Sequence, residues 1–396
     1  MPGQHAILSP SSATRWINCP ASVRMSQLVK REEETESFYA REGTAAHALA
    51  EIMASLHFGM LSADEADAAV ASWEREFADI LASSEGVQLE MQGHAESYVA
   101  LLQHFVSKTP HAQVMLEQRL PTGVPESWGT SDTVIVSPEV VHIVDLKYGK
   151  GVQVSPVGNP QLRLYGLGAL DTYGDMLGDT EVVRMTIFQP RLGYTETAEM
   201  PPAELRAWRE QVALPAAKLA LSDAAPFAPG EAQCRFCPVA GSCKPRMEYM
   251  VAIDFADDPD LLTDEEIGEL VPRLKDIKRW TDEVEKEALA RAYTEGREIP
   301  GHKVVLRGGR RVITDQAHAI QVLIDAGYTA EQVADFKTKS LSSLEKLVGG
   351  RDALEQKLGK LLRRTEGKPA IVSNDDPGVP VTALSQAVSE FTDIPD

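Results

Sequence analysis

The sequence predicts an α/β fold, in which a mixed central sheet is flanked by helices and followed by a mainly helical C-terminal part. Three observations lead to this prediction. Runs of β-branched residues on either side of Ser137-Pro138-Glu139 are typical of two strands joined by a tight turn. Apolar residues recur at helical spacing before and after that hairpin. An acidic stretch at residues 254–269 then marks a boundary.

The length of 396 residues exceeds that of a typical single domain, and 43% hydrophobic residues suffice for a sizeable core. The expected organisation is a first domain at 1–250, an acidic linker at 251–270, a mainly helical domain at 271–368 and a flexible tail at 369–396. No run of 18 uncharged apolar residues and no signal peptide is recognisable. We therefore expect a soluble, cytoplasmic protein that makes no membrane contact.

The net charge of −20 excludes a protein that coats nucleic acid with its whole surface, so any nucleic acid must lie in a local groove. Residues 297–368 contain 14 Lys and Arg against 9 Asp and Glu, a local excess of five positive charges. Arg307, Arg310 and Arg311 are the candidate phosphate contacts of this segment, whose candidate ligands are DNA or a protein partner. An ordinary solvated helix face explains the same charges equally well.

The N-terminal elements are predicted to be helical. Ser9 is expected to cap a helix that starts at Pro10 and ends at Cys19. A second helix begins at Gly43, and His47 lies off the centre of its apolar stripe. Residues 61–84 and 90–108 continue the pattern, so these helices should cover one side of the sheet.

The strands should bring carboxylates together. A strand at 113–120 contains Glu117 and precedes the hairpin, in which Asp132 starts one strand and Asp145 ends the other. Both aspartates then fall at the open end of the hairpin, and Lys147 points the same way as Asp145. Crowded carboxylates favour a hard cation such as Mg²⁺ or Mn²⁺, beside which a lysine can position or activate water.

Beyond the hairpin, a helix should begin near Asn159 and Pro160. It places Gln161 and Tyr165 at positions i and i+4, on one face. A strand at 181–189 and a helix at 203–221 follow.

All four cysteines of the protein fall into a one-plus-three pattern. Cys234, Cys237 and Cys243 lie within ten residues, and Cys19 lies far upstream. In a reducing compartment, thiols spaced in this way are metal ligands more often than disulfides. On chemical grounds alone, tetrahedral Zn²⁺ and an iron–sulfur cluster suit four thiolates equally well.

Four short motifs, in this order along the chain, resemble those of the PD-(D/E)XK nuclease superfamily and of its RecB-type branch. They are Gly43-x-x-x-His47, Gly129-x-x-Asp132, Asp145-x-Lys147 and Gln161-x-x-x-Tyr165.

The cysteines add to this resemblance. Cys19-Pro20 together with Cys234-x-x-Cys237-x5-Cys243 is similar to the arrangement in AddB-type repair nucleases and in the CRISPR-associated adaptation nuclease. The resemblance implies a 4Fe-4S cluster that joins the two ends of the nuclease domain, with Zn²⁺ as the alternative. The C-terminal part resembles that of an uncharacterised phage-associated family of RecB-type nucleases.

The resemblance implies a Mg²⁺- or Mn²⁺-dependent deoxyribonuclease, in particular an exonuclease in phage or prophage recombination or repair within a bacterial host. Its expected partners are linear DNA ends or single strands, and a phage recombination or single-strand-binding protein is a further candidate partner. His47, Asp132, Asp145 and the carbonyl of Leu146 would hold the metal, with Glu117 as a secondary ligand. Lys147 would handle the attacking water, and Gln161 and Tyr165 would arrange the DNA strand.

Two other functions are compatible with parts of the sequence. A catalytically weak adaptor that binds DNA ends could use the same fold, but such proteins usually lack one of Asp132, Asp145 and Lys147. An electron-transfer or redox-sensing protein would need a second cluster motif or a flavin or nicotinamide fingerprint, and the sequence contains neither.

Overall fold

The computed structural model describes residues 6–28, 38–83, 86–178, 180–251, 264–304, 321, 325 and 350–358. The chain divides into two compact units, residues 1–305 and 306–396. Arg307, Arg310 and Arg311 lie outside the described residues. So do most residues after 304 of the mainly helical domain expected at 271–368, and the whole tail expected at 369–396.

The first unit is built on a five-stranded mixed sheet, so the predicted α/β class is confirmed. The strands follow one another in chain order across the sheet. All neighbours are antiparallel except β3 and β4, which run parallel. The strands are β1 (Gln113–Pro121), β2 (Trp128–Val136), β3 (Val140–Leu146), β4 (Val182–Gln189) and β5 (Tyr194–Met200).

Helices cover both faces of this sheet. They are α1 (Ala13–Asn18), α2 (Ala21–Leu28), α3 (Phe38–His57), α4 (Ala63–Glu76), α5 (Ala78–Leu81), α6 (Val87–Lys108), α7 (Pro160–Thr172), α8 (Pro202–Trp208) and α9 (Leu214–Ala220). Helix α7 forms the crossover between the parallel strands β3 and β4, as such a connection requires.

Alternation along the strands produces two hydrophobic cores. Val141 and Ile143 of β3 pack in the core that contains α1, α7, α8 and α9. Val144 and Leu146 pack in the other core, with α3, α4 and α6. Successive side chains of a strand point to opposite faces. The buried hairpin therefore separates two layers of helices.

The N-terminal segment differs from the prediction. Residues Pro10–Ser12 form a 3-10 turn before α1, and the side chain of Ser9 caps no backbone amide. Its hydroxyl instead lies 2.8 Å from that of Ser12, while its carbonyl accepts a 3.1 Å hydrogen bond from the indole of the fully buried Trp16. The predicted cap is wrong because the Ser9 hydroxyl pairs with a neighbouring hydroxyl rather than with the backbone.

Helix α7 is held close to β1. The Asn159 side chain accepts hydrogen bonds from the amides of Gln161 and Leu162 at its start, and Pro160 fits the first helical position. A Cβ atom on Gly168 would lie 2.6 Å from the carbonyl oxygen of Pro121 in β1. Only glycine permits this approach of helix to strand, which fixes the position of the residues at the start of α7.

Three further helices complete the described part of the first unit: α10 (Glu231–Cys234), α11 (Lys244–Val251) and α12 (Asp264–Leu289). Helix α12 begins within the acidic linker expected at 251–270. The guanidinium of Arg246 is fully buried and lies 3.3 Å from the carboxylates of both Asp276 and Glu283 of α12. These ion pairs attach α12 to the segment that follows the cysteines.

In the second unit, the described helix is α13 (Arg351–Leu358). Within the described part of the chain, no helix combines the length and the apolar character needed to span a membrane.

Candidate functional site

Three carboxylates lie in register across the first three strands. Glu117 of β1 falls opposite Asp132 of β2, between the neighbouring pairs Leu116–Thr133 and Gln118–Ser131. The register of β2 and β3 runs from Val136–Val141 to Thr133–Val144, so its next pair is Asp132 and Asp145. The predicted meeting of the two aspartates at the open end of the hairpin is therefore present, and β1 adds a third carboxylate to it.

His47, Glu117 and Asp132 form the candidate metal site. One ligand atom from each of them lies within 4.8 Å of the others. His47 reaches the strands from α3, and its Nδ1 lies 3.3 Å from Oδ1 of Asp132. Glu117 has φ +47°, which is unusual for a residue with a side chain and is typical of strain at functional positions.

The electrostatics of this group depend on Asp132. Burial by itself raises the pKa of Asp132, but the charges of His47 and Lys147 outweigh it and hold that pKa below its ordinary value. Burial likewise lowers the pKa of His47, and Asp132 outweighs it and raises that pKa to about 9. Burial and then the charge of Asp132 raise the pKa of Glu117 to about 8. Without a bound cation, protons on His47 and Glu117 offset the negative charge of the carboxylates. A bound cation would displace these protons.

Asp145, Lys147 and Gln161 form the adjoining cluster. The ammonium of Lys147 lies 2.8 Å from Oδ2 of Asp145 and donates a 3.2 Å hydrogen bond to the side-chain Oε1 of Gln161. The side-chain Nε2 of Gln161 donates a 3.1 Å hydrogen bond to Oδ1 of Asp145. Each of the three side chains therefore contacts the other two, and their relative positions are fixed.

The backbone connects this cluster to the metal group. The amide of Leu146 donates a 2.7 Å hydrogen bond to Oδ2 of Asp132. The amide of Lys147 donates to the carbonyl of Phe188 in β4. These hydrogen bonds hold Asp132 to β3 and Lys147 to β4, so strands rather than loops fix both residues.

Tyr165 lies one turn after Gln161 on α7 and is only 4% exposed. Its ring packs so close to Gly129 that a Cβ there would lie 3.1 Å from the ring. Burial and then the charge of Asp145 raise the pKa of Tyr165 above its ordinary value, while a side-chain hydrogen bond with Gln161 opposes this. A phenol in this position can orient Gln161 but presents little surface to a DNA strand.

Two residues near the site were not found from the sequence. The hydroxyl of Tyr98 lies 2.8 Å from that of Thr133, the residue after Asp132, and its buried phenol stays neutral since burial raises its pKa. Glu51 lies one turn after His47 on α3, and its charge contributes to the raised pKa of Glu117. The i, i+4 spacing of His47 and Glu51 was the sequence signal for the latter.

The four cysteines line one cavity between the N-terminal segment and the loop after α9. The amides of Ala228 and Gly230 donate to the sulfurs of Cys19 and Cys234, each at 3.5 Å. Burial raises the pKa of Cys237 and of Cys243. No three of these four sulfurs, all of which belong to described residues, lie within 4.8 Å of one another.

Comparisons with known proteins give a family and distant structural likenesses. A family model described as "Protein of unknown function (DUF2800)" matches residues 5–378. A solved structure titled "Crystal structure of SSO0001" is 12% identical, covers 60% of this chain and 85% of that one, and gives a TM-score of 0.27. A TM-score this low does not show that the two proteins share a fold.

Proposed function

This chain belongs to the DUF2800 family, whose function is unknown, and we propose that it is a metal-dependent DNA nuclease, specifically an exonuclease. The observation that carries the proposal is the contact of Asp145, Lys147 and Gln161 with one another, directly beside His47, Glu117 and Asp132. Carboxylates, an ammonium and an amide on rigid strands and one helix are the groups that phosphodiester hydrolysis requires.

The residues fit a hard divalent cation. Ligands about 2.1 Å from one Mg²⁺ ion lie at most about 4.2 Å apart, so the group of His47, Glu117 and Asp132 would have to contract only slightly. Asp145 lies next in register to Asp132 and could approach the same ion. Such a cation would neutralise charge on the phosphate and lower the pKa of a bound water.

The side chains of the adjoining cluster have separate tasks. Burial lowers the pKa of Lys147, but Asp145 and then Asp132 outweigh it and raise that pKa above its ordinary value. The amine therefore stays an ammonium, which donates hydrogen bonds to a water or a phosphate oxygen instead of taking up a proton. Gln161 holds Lys147 and Asp145 at a fixed separation, and the buried Tyr165 orients Gln161.

For the cysteines we propose a 4Fe-4S cluster. A single Zn²⁺ ion with Zn–S distances of about 2.3 Å would need the sulfurs about 3.8 Å from one another, whereas no three of these four sulfurs lie within 4.8 Å of one another. Thiolates from Cys19 and from the loop at 234–243 would hold the wider cluster and fasten the N-terminal segment to that loop. Its role is structural, and the proposed hydrolysis uses no electron from it.

The cellular role rests on the sequence resemblance. A nuclease of this kind would work in phage or prophage recombination or repair in the cytoplasm of a bacterial host. Its substrate would be linear DNA ends or single strands, and a recombination or single-strand-binding protein would be the candidate partner that delivers them.

The test is digestion of end-labelled linear DNA, single- and double-stranded, beside closed circular DNA with Mg²⁺ or Mn²⁺, using anaerobically purified protein. We expect cleavage of linear DNA alone. Asp145→Asn and Lys147→Met should each lower the rate at least about a hundredfold, because each removes a group that acts on the transition state. Asp171→Asn, which alters a carboxylate paired with Arg209 outside the site, should cleave normally.

Two results would contradict this proposal. Cluster-loaded protein that cleaves no DNA with either metal would leave the adaptor function as the better explanation. Undiminished cleavage by Asp145→Asn would show that the nuclease site lies elsewhere.

A further inference from the structure

One groove is lined both by the candidate catalytic cluster and by the cysteine loop, and it bears on the substrate of the nuclease proposed above. Its lining includes Lys147 and Gln161 of the cluster as well as Arg235 and Phe236 of the loop between Cys234 and Cys237. The 3-10 turn and the start of α1, including Arg15, also line it. The groove therefore joins two parts of the molecule that the proposed function treats separately.

The charge of the groove is opposite to that of the chain. Arg15, Lys147 and Arg235 line it, and none of the described residues that line it is Asp or Glu, although the whole protein carries a net charge of −20. Hydroxyl and amide side chains, among them Ser11 and Asn159, supply further hydrogen-bond donors. A local positive path in an acidic protein is suited to a phosphate backbone.

Phe236 gives the groove an aromatic surface. Phe236 is 75% exposed, although a large apolar side chain is normally buried. The backbone beneath it is held in place, because the guanidinium of Arg15 donates a 2.9 Å hydrogen bond to the Phe236 carbonyl. The guanidinium of Arg235, the residue before Phe236, forms an ion pair with Glu231 at 2.7 Å. An exposed aromatic ring that shares a groove with arginines is suited to stacking the bases of single strands.

The size and chemistry of the groove favour a single strand. Its volume of about 650 Å³ is suited to a short stretch of one strand. Paired bases are also stacked on each other, so they offer no face to a protein ring.

We propose that this groove holds one strand of DNA, with a base stacked on Phe236 and phosphates beside Arg235 and Arg15, and delivers that strand to Lys147. The inference rests on the proposed nuclease function and narrows its substrate to single-stranded DNA or a frayed end. It also gives the loop between Cys234 and Cys237 a task in substrate binding, besides holding two thiols.

The test measures binding by fluorescence anisotropy in EDTA, so that no strand is cut, with a fluorescein-labelled oligothymidylate and a duplex of mixed sequence. Phe236→Ala should weaken binding of the single strand about tenfold, in line with the loss of one stacked base. Phe236→Tyr should bind as the wild type does, whereas Phe236→Leu, which keeps apolar bulk without a π face, should resemble Phe236→Ala. Tyr293→Ala removes a similarly exposed aromatic residue outside the groove and should change nothing.

Two further readouts separate a DNA contact from a structural effect. Arg235→Gln should reduce the slope of log K against log salt concentration by about 0.7, the value for one phosphate contact of a single strand. A 2-aminopurine base in the oligonucleotide should be quenched on binding, and this quenching should disappear in Phe236→Ala. Each variant must retain the wild-type iron or zinc content, because residues 235 and 236 lie between two of the cysteines.

The outcomes distinguish this inference from the proposed function. Normal single-strand binding by Phe236→Ala, or tighter binding of the duplex by the wild type, would overturn the groove assignment even if cleavage is intact. Loss of single-strand binding in Phe236→Ala would support it even if the wild type cleaves no DNA, in which case only the nuclease function fails.

Discussion

Replacing Glu117 by glutamine should stabilise the metal-free protein, and a bound metal ion should remove most of that advantage. Glu117 lies opposite Asp132 and within 4.8 Å of a ligand atom of both His47 and Asp132. Burial, then Asp132 and Glu51, raise its pKa to about 8. The variant Glu117→Gln keeps the shape of the side chain and removes both its charge and its proton.

The magnitude follows from proton linkage. In the metal-free protein at pH 7, folding requires Glu117 to take up a proton, whereas in the unfolded chain it is ionised above its ordinary pKa of 4.5. The 2.5 pH units between 4.5 and 7 correspond to about 3.4 kcal/mol. The side chain is partly exposed, and screening reduces this to about 2 kcal/mol. This destabilisation of the metal-free wild type is absent well below pH 4.5, grows as pH rises and levels off above about pH 8.

The assay is thermal unfolding of both proteins, in EDTA and in Mn²⁺. In EDTA at pH 7, Glu117→Gln should unfold about 4 °C higher, and at pH 5 the gain should fall to about 1 °C, because about a quarter of the linkage free energy remains there. At a Mn²⁺ concentration one hundred times the dissociation constant, the wild type should gain about 2.7 kcal/mol, whereas the variant lacks a charged ligand and should gain far less.

Glu139→Gln, in the exposed turn between β2 and β3, is the matched control and should behave as the wild type does in every condition. A variant that is no more stable than the wild type in EDTA would refute the argument from crowded carboxylates. Equal stabilisation of both proteins by Mn²⁺ would show that Glu117 is not a ligand.

Two other predictions concern the sheet and the crossover helix. Burial lowers the pKa of His142 to about 3 from 6.5, so acidification from pH 7 to 5 should cost about 2 kcal/mol through this residue. Urea unfolding of His142→Gln should lack that pH dependence, and an unchanged pH dependence would contradict it. Gly168→Ala should cost about 1–3 kcal/mol and lower cleavage, because its Cβ meets Pro121 and shifts the start of α7. Gly174→Ala, which meets nothing within 4 Å, should leave cleavage unaffected, and equal cleavage by both variants would exclude such a shift.

The hairpin and the crossover helix could be predicted from the sequence because their signals are local. β-Branched residues on both sides of Ser137-Pro138-Glu139 specify two strands and a turn, and this register alone brings Asp132 opposite Asp145. Asn159 followed by Pro160 specifies the start of α7 in the same way. Where a turn or a cap fixes the register, the position of a side chain follows without knowledge of the rest of the fold.

The remaining parts of the site depend on contacts that no local pattern encodes. The left-handed backbone of Glu117 is imposed by the sheet, since a glutamate has no intrinsic preference for φ +47°. Tyr98 approaches Asp132 only because α6 packs on the sheet, and the burial of Tyr165 depends on its packing beside Gly129. The predicted Ser9 cap was wrong for the opposite reason. The signal was local, but the Ser9 hydroxyl pairs with the Ser12 hydroxyl instead of accepting a hydrogen bond from a backbone amide.

The cysteine cavity and the groove share structure, so the state of the thiols should govern both proposals. Arg15 contacts the Phe236 carbonyl from the helix that leads to Cys19, while Phe236 lies between Cys234 and Cys237. A group bound by all four thiolates would fix these segments against each other and hold the ring at the groove. Without that group, no ligand would join the four sulfurs, so the loop could shift against α1 and the base-stacking surface would lose its position relative to Lys147. Protein with empty cysteines should therefore bind single strands weakly even when the site around Asp132 is intact.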